Sequence, residues 1–295
     1  MPLANPPSVK TYSDTPRQPA LTLPAGACDS HVHVFGPRGR FPYAGGLKSV
    51  PVDAPKEKLF ALHRQLGIER CVIVQSTVHG LDNRVVEDAI EAGGGRYLGI
   101  ALVPPDVPDA ELQRLAGRGF RGVRFNFMRH LSGGADVTQI LALTPRLAAV
   151  GMHLQVHFES ALVHSVGQAL RASQVPVVID HMGRVDATLG ASHPDFLALM
   201  ALLEHPRMHV KVSGIDRIDS GHHAGSNYPE GVALARTLVE RFPERCVWGL
   251  DWPHPNHSHV PDDGELVDAL ARIAPDAAHL KSLLVDNPQG LYRFE

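Results

Sequence analysis

Cys71-Val72-Ile73-Val74 and Val177-Val178-Ile179 are short, unbroken apolar runs dominated by β-branched residues. A strand with one face in water alternates apolar and polar residues, so an unbroken apolar strand is buried on both faces, as in parallel sheets covered by helices. Working outward, β-rich runs recur at 28–35, 70–75, 97–103, 122–127, 152–158, 176–181, 208–213 and 246–251. Between them, apolar residues fall at helical spacing in 56–66, 83–92, 109–118, 138–150, 160–172, 193–204, 229–241 and 263–273. Strict β-then-α alternation through eight units predicts a single-domain (β/α)8 TIM-type barrel of the α/β class, with an open doubly wound sheet as the structural alternative. Residues 1–25 read as an irregular N-terminal arm, 26–295 as the barrel, with a last helical segment and tail in 281–295.

A chain of 295 residues with 44% hydrophobic composition is long enough for one full-sized core. With 28 Lys plus Arg against 31 Asp plus Glu, the net charge of −3 gives no field to attract nucleic acid or an anionic membrane. The opening Met1 to Lys10 carries Pro2, Pro6 and Pro7 and no apolar core segment, unlike a signal peptide or membrane anchor, so a cytoplasmic location is expected. Cys28, Cys71 and Cys246 are odd in number and sit in apolar runs, which fits reduced, buried thiols. The compositional oddity is 18 His, the side chain most often recruited for metal binding and proton transfer.

Several familiar motifs fail. Gly117-Arg118-Gly119-Phe120-Arg121-Gly122 matches G-x-G-x-x-G, but it leaves a predicted helix and enters a strand, the reverse of dinucleotide binding, and reads as a helix stop. The chain has no phosphate loop, no G-x-S-x-G elbow and no H-E-x-x-H helix, which removes support for NTP chemistry, serine hydrolysis and helical zincin chemistry.

What survives is His31-Val32-His33 on the first strand, where two imidazoles at i and i+2 share a face. His157 lies near the end of the fifth strand, His181 ends the sixth and Asp251 ends the eighth. The C-terminal rim of a barrel is where barrel enzymes carry their chemistry, so imidazoles and a carboxylate at several strand ends predict one shared site.

These residues resemble the amidohydrolase superfamily, in the amidohydrolase-2 branch that also holds aminocarboxymuconate semialdehyde decarboxylases. More specifically, Asp29-Ser30-His31-Val32-His33, Arg121-Gly122-Val123-Arg124-Phe125-Asn126-Phe127, Ile179-Asp180-His181-Met182-Gly183-Arg184, Trp248-Gly249-Leu250-Asp251-Trp252-Pro253 and Pro261-Asp262-Asp263-Gly264 resemble 2-pyrone-4,6-dicarboxylate lactonases. The resemblance implies a hydrolase, in aromatic-compound catabolism, that opens the lactone ring of a small carboxylated substrate. Asp251 would take a proton from the attacking water while His31, His33 and His181 polarise the carbonyl, as base and oxyanion donors must. Arg124 and Arg217 match family positions that grip substrate carboxylates, and Thr77 and His79 match further polar contacts. Arg184 and Arg129 are weaker candidates of the same kind, while Arg38 and Arg40 read as surface.

The sequence departs from the lactonase pattern at His130, where an Arg is expected, and at His157 and Ser49, each in place of a Tyr. His130 and His157 become candidate substrate contacts, and the exact substrate is left open. A His on the fifth strand is also a feature of metal-dependent relatives. A metal-free site and one holding a divalent metal such as Zn2+ on His31, His33, His157 and Asp251 both stay open. A metal-dependent decarboxylase and a non-catalytic acid-binding barrel are the competing functions. His222-His223 and the run from His254 to His259 read as flexible polar loops. Asp29 would share a strand face with His31 and orient a neighbouring imidazole, or simply cap a turn. The expected partner is a small lactone, with no nucleic acid and no membrane, and a homo-oligomer is left open.

Overall fold

The computed structural model describes residues 8–47, 49–128, 136–219, 226–257 and 259–295. Eight parallel strands follow one another around one sheet: β1 (Cys28–Val32), β2 (Arg70–Val74), β3 (Tyr97–Leu102), β4 (Phe120–Asn126), β5 (His153–His157), β6 (Val177–Ile179), β7 (Met208–Ser213) and β8 (Cys246–Gly249). Just past the ends of β1 and β8 the backbone closes the cylinder. Asp251 N donates to His31 O and His33 N donates to Trp252 O, both at 2.7 Å. A nearly closed (β/α)8 barrel follows, and the open-sheet alternative is set aside.

The apolar strand runs lie between the barrel interior and helices whose apolar stripes cover them. Helix Lys56–Leu66 buries Leu59, Leu62, His63 and Leu66 and stops at Gly67, whose φ of 77° gives a left-handed cap that glycine accepts without strain. Helices Arg84–Ala92, Asp109–Gly117, Val137–Ala149, Pro194–Leu203 and Pro229–Arg241 stand within a residue or so of the periodic windows. Two expected helices are broken. The 160–172 stretch becomes a turn at Ser160–His164, a short helix Val166–Ala169 and a turn at Leu170–Ala172, interrupted at Ser165, where φ is −116°. The 263–273 stretch divides into Asp263–Asp268 and Leu270–Ile273 at Ala269.

The C-terminal segment, helical to Tyr292, returns beneath the barrel. There Tyr292 and Phe294 join Cys28, Val72, Val74, Leu98, Ile100 and Val247 in an apolar cluster of their own. The N-terminal arm is less irregular than its composition suggests: Ser8–Val9 pairs in parallel with Val50–Pro51. The Tyr12 ring packs on Trp252 with centroids 5.4 Å apart, and Ala20 N and Leu21 N donate to Asp268. All three cysteines are buried and free, as expected of packed thiols.

Candidate active site

The strands bring polar side chains inward at the upper rim. On β1 the register shifts between Asp29 and Val32, a β-bulge that lets Ser30 and His31 both face the interior. Asp29 therefore does not share a face with His31, contrary to simple alternation. It points out toward the helix Lys56–Leu66, where its Oδ2 lies 3.5 Å from His63 Nε2, and its Oδ1 accepts from His31 N and Leu250 N. The carboxylate pins the bulge and the closing seam together. Opposite it, Gly249 approaches so closely that a Cβ there would lie 2.6 Å from both the His31 Cβ and its backbone nitrogen. His181 lies past the end of β6, at φ 48°, in a left-handed turn with Met182, Gly183 and Arg184, while Asp251 has φ 67°. Polar residues held in the left-handed region are a recurrent mark of functional sites.

The turn and the bulge gather three imidazoles about one carboxylate oxygen. Asp251 Oδ1 lies 3.4 Å from His33 Nε2, 3.6 Å from His31 Nε2 and 3.9 Å from His181 Nε2, and all four residues are buried. Neither Asp251 Oδ1 nor His31 Nε2 has a hydrogen-bond partner among the described residues. His33 Nδ1 lies 2.7 Å from Val74 O, and a carbonyl only accepts, so the neutral form of His33 has its proton on Nδ1 and a lone pair on Nε2. His181 Nδ1 bonds Ser213 Oγ at 2.9 Å. Burial alone would raise the Asp251 pKa, but the Arg217 guanidinium and the surrounding imidazoles overcome it and hold the carboxyl well below the usual range. Burial, reinforced by Lys211, pushes His31 down to about 3, and burial likewise lowers His181, so both rings are neutral at pH 7.

Arg217 is committed to this cluster: its Nε lies 2.5 Å from Asp251 Oδ2 and its Nη2 donates to Pro255 O at 2.7 Å. Arg124 is likewise engaged, through Nε to Asp180 Oδ2 at 2.7 Å. Both cations expected to grip substrate carboxylates are thus already paired with a buried carboxylate of the protein. Arg184 is different: it stands partly buried beside the cluster with no hydrogen bond or ion pair among the described residues. Burial lowers its pKa, as does Arg217, against Asp251, Asp216 and Glu159. His157 faces this side with Nδ1 3.3 Å from Asn126 Oδ1, and its ring centroid is 5.3 Å from that of His181. Thr77 is exposed at the start of the turn Thr77–His79, whereas His79 is buried with both nitrogens on backbone, Nδ1 to Pro42 O and Nε2 from Gly36 N. That bonding makes His79 a brace for the early loop. His130, Arg129, His222 and His223 lie outside the described residues.

Sequence reasoning missed a charged layer beneath the cluster. Lys211 on β7 is fully buried, its Nζ 2.8 Å from Gln155 Oε1, 3.2 Å from His31 Nδ1 and 3.6 Å from Asp180 Oδ1. Burial lowers its pKa to about 8, opposed by Asp180. Gln155 Nε2 in turn donates to Asp180 Oδ2 at 3.1 Å. The available signal was alternation: Arg124 on β4, Gln155 on β5 and Lys211 on β7 are polar residues set among apolar ones, hence on the inner face. The run after β8, expected as a flexible polar loop, is anchored by buried ion pairs. His254 is fully buried with Nε2 3.0 Å from Asp263 Oδ1, and His257 Nε2 lies 2.5 Å from Asp216 Oδ2.

A family model described as amidohydrolase matches residues 28–294. The chain belongs to the amidohydrolase family. It is 43% identical to a 2-pyrone-4,6-dicarboxylate hydrolase of Comamonas testosteroni, over 94% of this chain and 93% of that protein. It is 39% identical to a 4-sulfomuconolactone hydrolase of Hydrogenophaga intermedia, over 92% of this chain and 90% of that one. Among solved structures, a probable 2-pyrone-4,6-dicarboxylic acid hydrolase from Acinetobacter baumannii superposes with a TM-score of 0.81 at 24% identity, over 91% of this chain and all of that one. No described helix of this family member is long and apolar enough to cross a membrane.

For a metal, the set that the fold assembles differs from the one the sequence suggested. Ligand atoms of His31, His181 and Asp251 lie within 4.8 Å of one another, a set that includes neither His33 nor His157. Two imidazole nitrogens and a carboxylate oxygen suit Zn2+ in donor type, and the partnerless His31 Nε2 and Asp251 Oδ1 are where an ion would be held.

Proposed function

We propose that this chain opens the lactone ring of a small anionic substrate, of the pyrone dicarboxylate or sulfomuconolactone kind that its relatives' names describe, with Asp251 activating the water. The observation that carries the reading is the ring of three imidazole Nε2 atoms about Asp251 Oδ1. Three atoms within 4.8 Å of one another can all be reached by one bridging oxygen at about 2.8 Å, an ordinary hydrogen-bond length. A water beside Asp251 Oδ1 can give one proton to that oxygen and another toward His33 Nε2, which lies 3.4 Å from it. The neutral rings of His31 and His181 are placed to donate to the carbonyl oxygen as negative charge develops on it.

A carboxylate held far below its ordinary pKa is a weak base, and here Arg217 is the largest of the groups that hold it down. A substrate carboxylate that draws Arg217 away would strengthen Asp251 at the moment the substrate is bound. Arg184, with no hydrogen bond or ion pair among the described residues, is the natural receptor for a second anionic group. Arg124, His130, His157 and Thr77 complete the proposed substrate contacts, with His130 and His157 favouring an anion different from the one that an Arg and a Tyr would select. If a divalent metal is bound, His31, His181 and Asp251 would hold it, and it would supply Lewis acidity and a more acidic water. No feature of the cluster favours decarboxylation over hydrolysis.

The test is a spectrophotometric ring-opening assay with 2-pyrone-4,6-dicarboxylate and 4-sulfomuconolactone, run beside metal analysis of the purified protein. Hydrolysis of at least one is expected. Asp251→Asn should cut kcat by a hundredfold or more while substrate binding persists. An unchanged rate in that variant removes the assigned base.

A further inference from the structure

We propose that Lys211 is a positioning residue that fixes the proton of His31 on Nε2, so that His31 meets Asp251 and the substrate as a hydrogen-bond donor. The side chain of Lys211 lies wholly inside the barrel, and an ammonium group has donors and no acceptor. Its three neighbours are Gln155 Oε1, His31 Nδ1 and Asp180 Oδ1. His31 Nδ1 is thus pulled two ways: Lys211 Nζ at 3.2 Å needs an acceptor there, and Asp180 Oδ1 at 3.3 Å needs a donor.

The surrounding bonds decide between them. Asp180 receives Arg124 Nε and Gln155 Nε2 on Oδ2, and its Oδ1, without a hydrogen-bond partner among the described residues, faces the ammonium at 3.6 Å; at the other end of the ring Asp251 Oδ1, also without a partner, lies 3.6 Å from His31 Nε2 and is answered by a proton there. A proton on His31 Nδ1 would instead point at a buried cation and leave Lys211 one bond short in a medium too poor in water to replace it. Nδ1 is therefore the acceptor and Nε2 carries the hydrogen.

The two rings of His31-Val32-His33 then hold opposite roles. His33, bonded through Nδ1 to Val74 O, offers a lone pair, and His31, bonded through Nδ1 to Lys211, offers a proton. One ring receives from the water and the other donates to the oxygen on which charge develops. The tautomer stands on these contacts alone, and only the use of the donor rests on the lactone reading.

Long-range proton–nitrogen correlation spectra of 15N-histidine-labelled protein at neutral pH read the tautomer directly, with His31 assigned by difference from His31→Gln. The unsubstituted protein is expected to show a non-protonated Nδ1 at His31. Lys211→Met should move the proton to Nδ1, lower kcat about tenfold or more with KM little changed, and Lys211→Arg should restore part of the loss. A protonated Nδ1 in the unsubstituted protein, or a Lys211→Met spectrum with His31 unchanged, overturns the assignment. Should Lys211→Met fail to fold, the unsubstituted spectrum decides by itself. A protein with the expected tautomer that turns over no lactone supports the role of Lys211 and overturns the lactone reading instead.

Discussion

Asp251 and Arg217 share a bond that sets both the charge of the site and its pH response. Removing the guanidinium in Arg217→Met lets burial dominate, which raises the Asp251 pKa. The acid limb of the kcat/KM profile should move to higher pH, and a limb that stays in place would show that another group sets it. Arg184→Met leaves no described ion pair broken, so it should raise KM for a dicarboxylate substrate with a smaller effect on kcat. His254 gives a stability counterpart. Burial lowers its pKa, but Asp263, aided by Asp216 and Asp251, outweighs this and raises it above 6.5. A group whose pKa is raised on folding stabilises the fold below its unfolded value and loses that contribution as pH climbs through the folded one. The melting temperature should fall more steeply above pH 6.5 in the parent than in Asp263→Asn.

At the level of elements, the bulge in β1 and the left-handed turn after β6 do the placing. Without the bulge, strict alternation would face His31 and His33 outward with Asp29 and take two imidazoles out of the ring. Asp29→Ala leaves the buried backbone groups of His31 and Leu250 without their acceptor, a cost of about 1–3 kcal/mol for each if no water enters. Chemical denaturation should register that loss. On the other side of the seam, Gly249→Ala would press a methyl group into His31, so its activity should drop further than its stability. The turn through His181, Met182, Gly183 and Arg184 keeps a positive φ at every residue, three of them not glycine. That backbone delivers His181 to Asp251 and brings Arg184 beside it.

The barrel as a whole is floored by its own C-terminus. Tyr292 and Phe294 pack against the lower strand residues, so Tyr292→Ala should cost about 3 kcal/mol or more through the cavity it leaves, with little change in KM because the site is at the opposite rim. The arm reaches that rim: Tyr12 packs on Trp252, the residue after Asp251, and Thr11 bonds Pro253 O. Helices outside, charge in the middle layer and chemistry above it form one stack. Lys211, Gln155, Asp180 and Arg124 fill the interior where a barrel ordinarily places branched apolar residues, and they fix His31 from below.

Strand and helix order were legible in the sequence because burial on both faces leaves unbroken apolar runs and helical covering leaves a 3.6-residue period, both local patterns. The identities of His31, His33, His181 and Asp251 as rim residues followed from their places at strand ends. What the chain could not reveal locally was partnership. That Arg124 and Arg217 are bound to Asp180 and Asp251, that His79 braces a loop, and that His254 and His257 are buried all depend on contacts between residues far apart in sequence. The bulge escaped for the same reason: it is a register shift between two strands, so only the pairing of β1 with β2 could decide which way His31 faces.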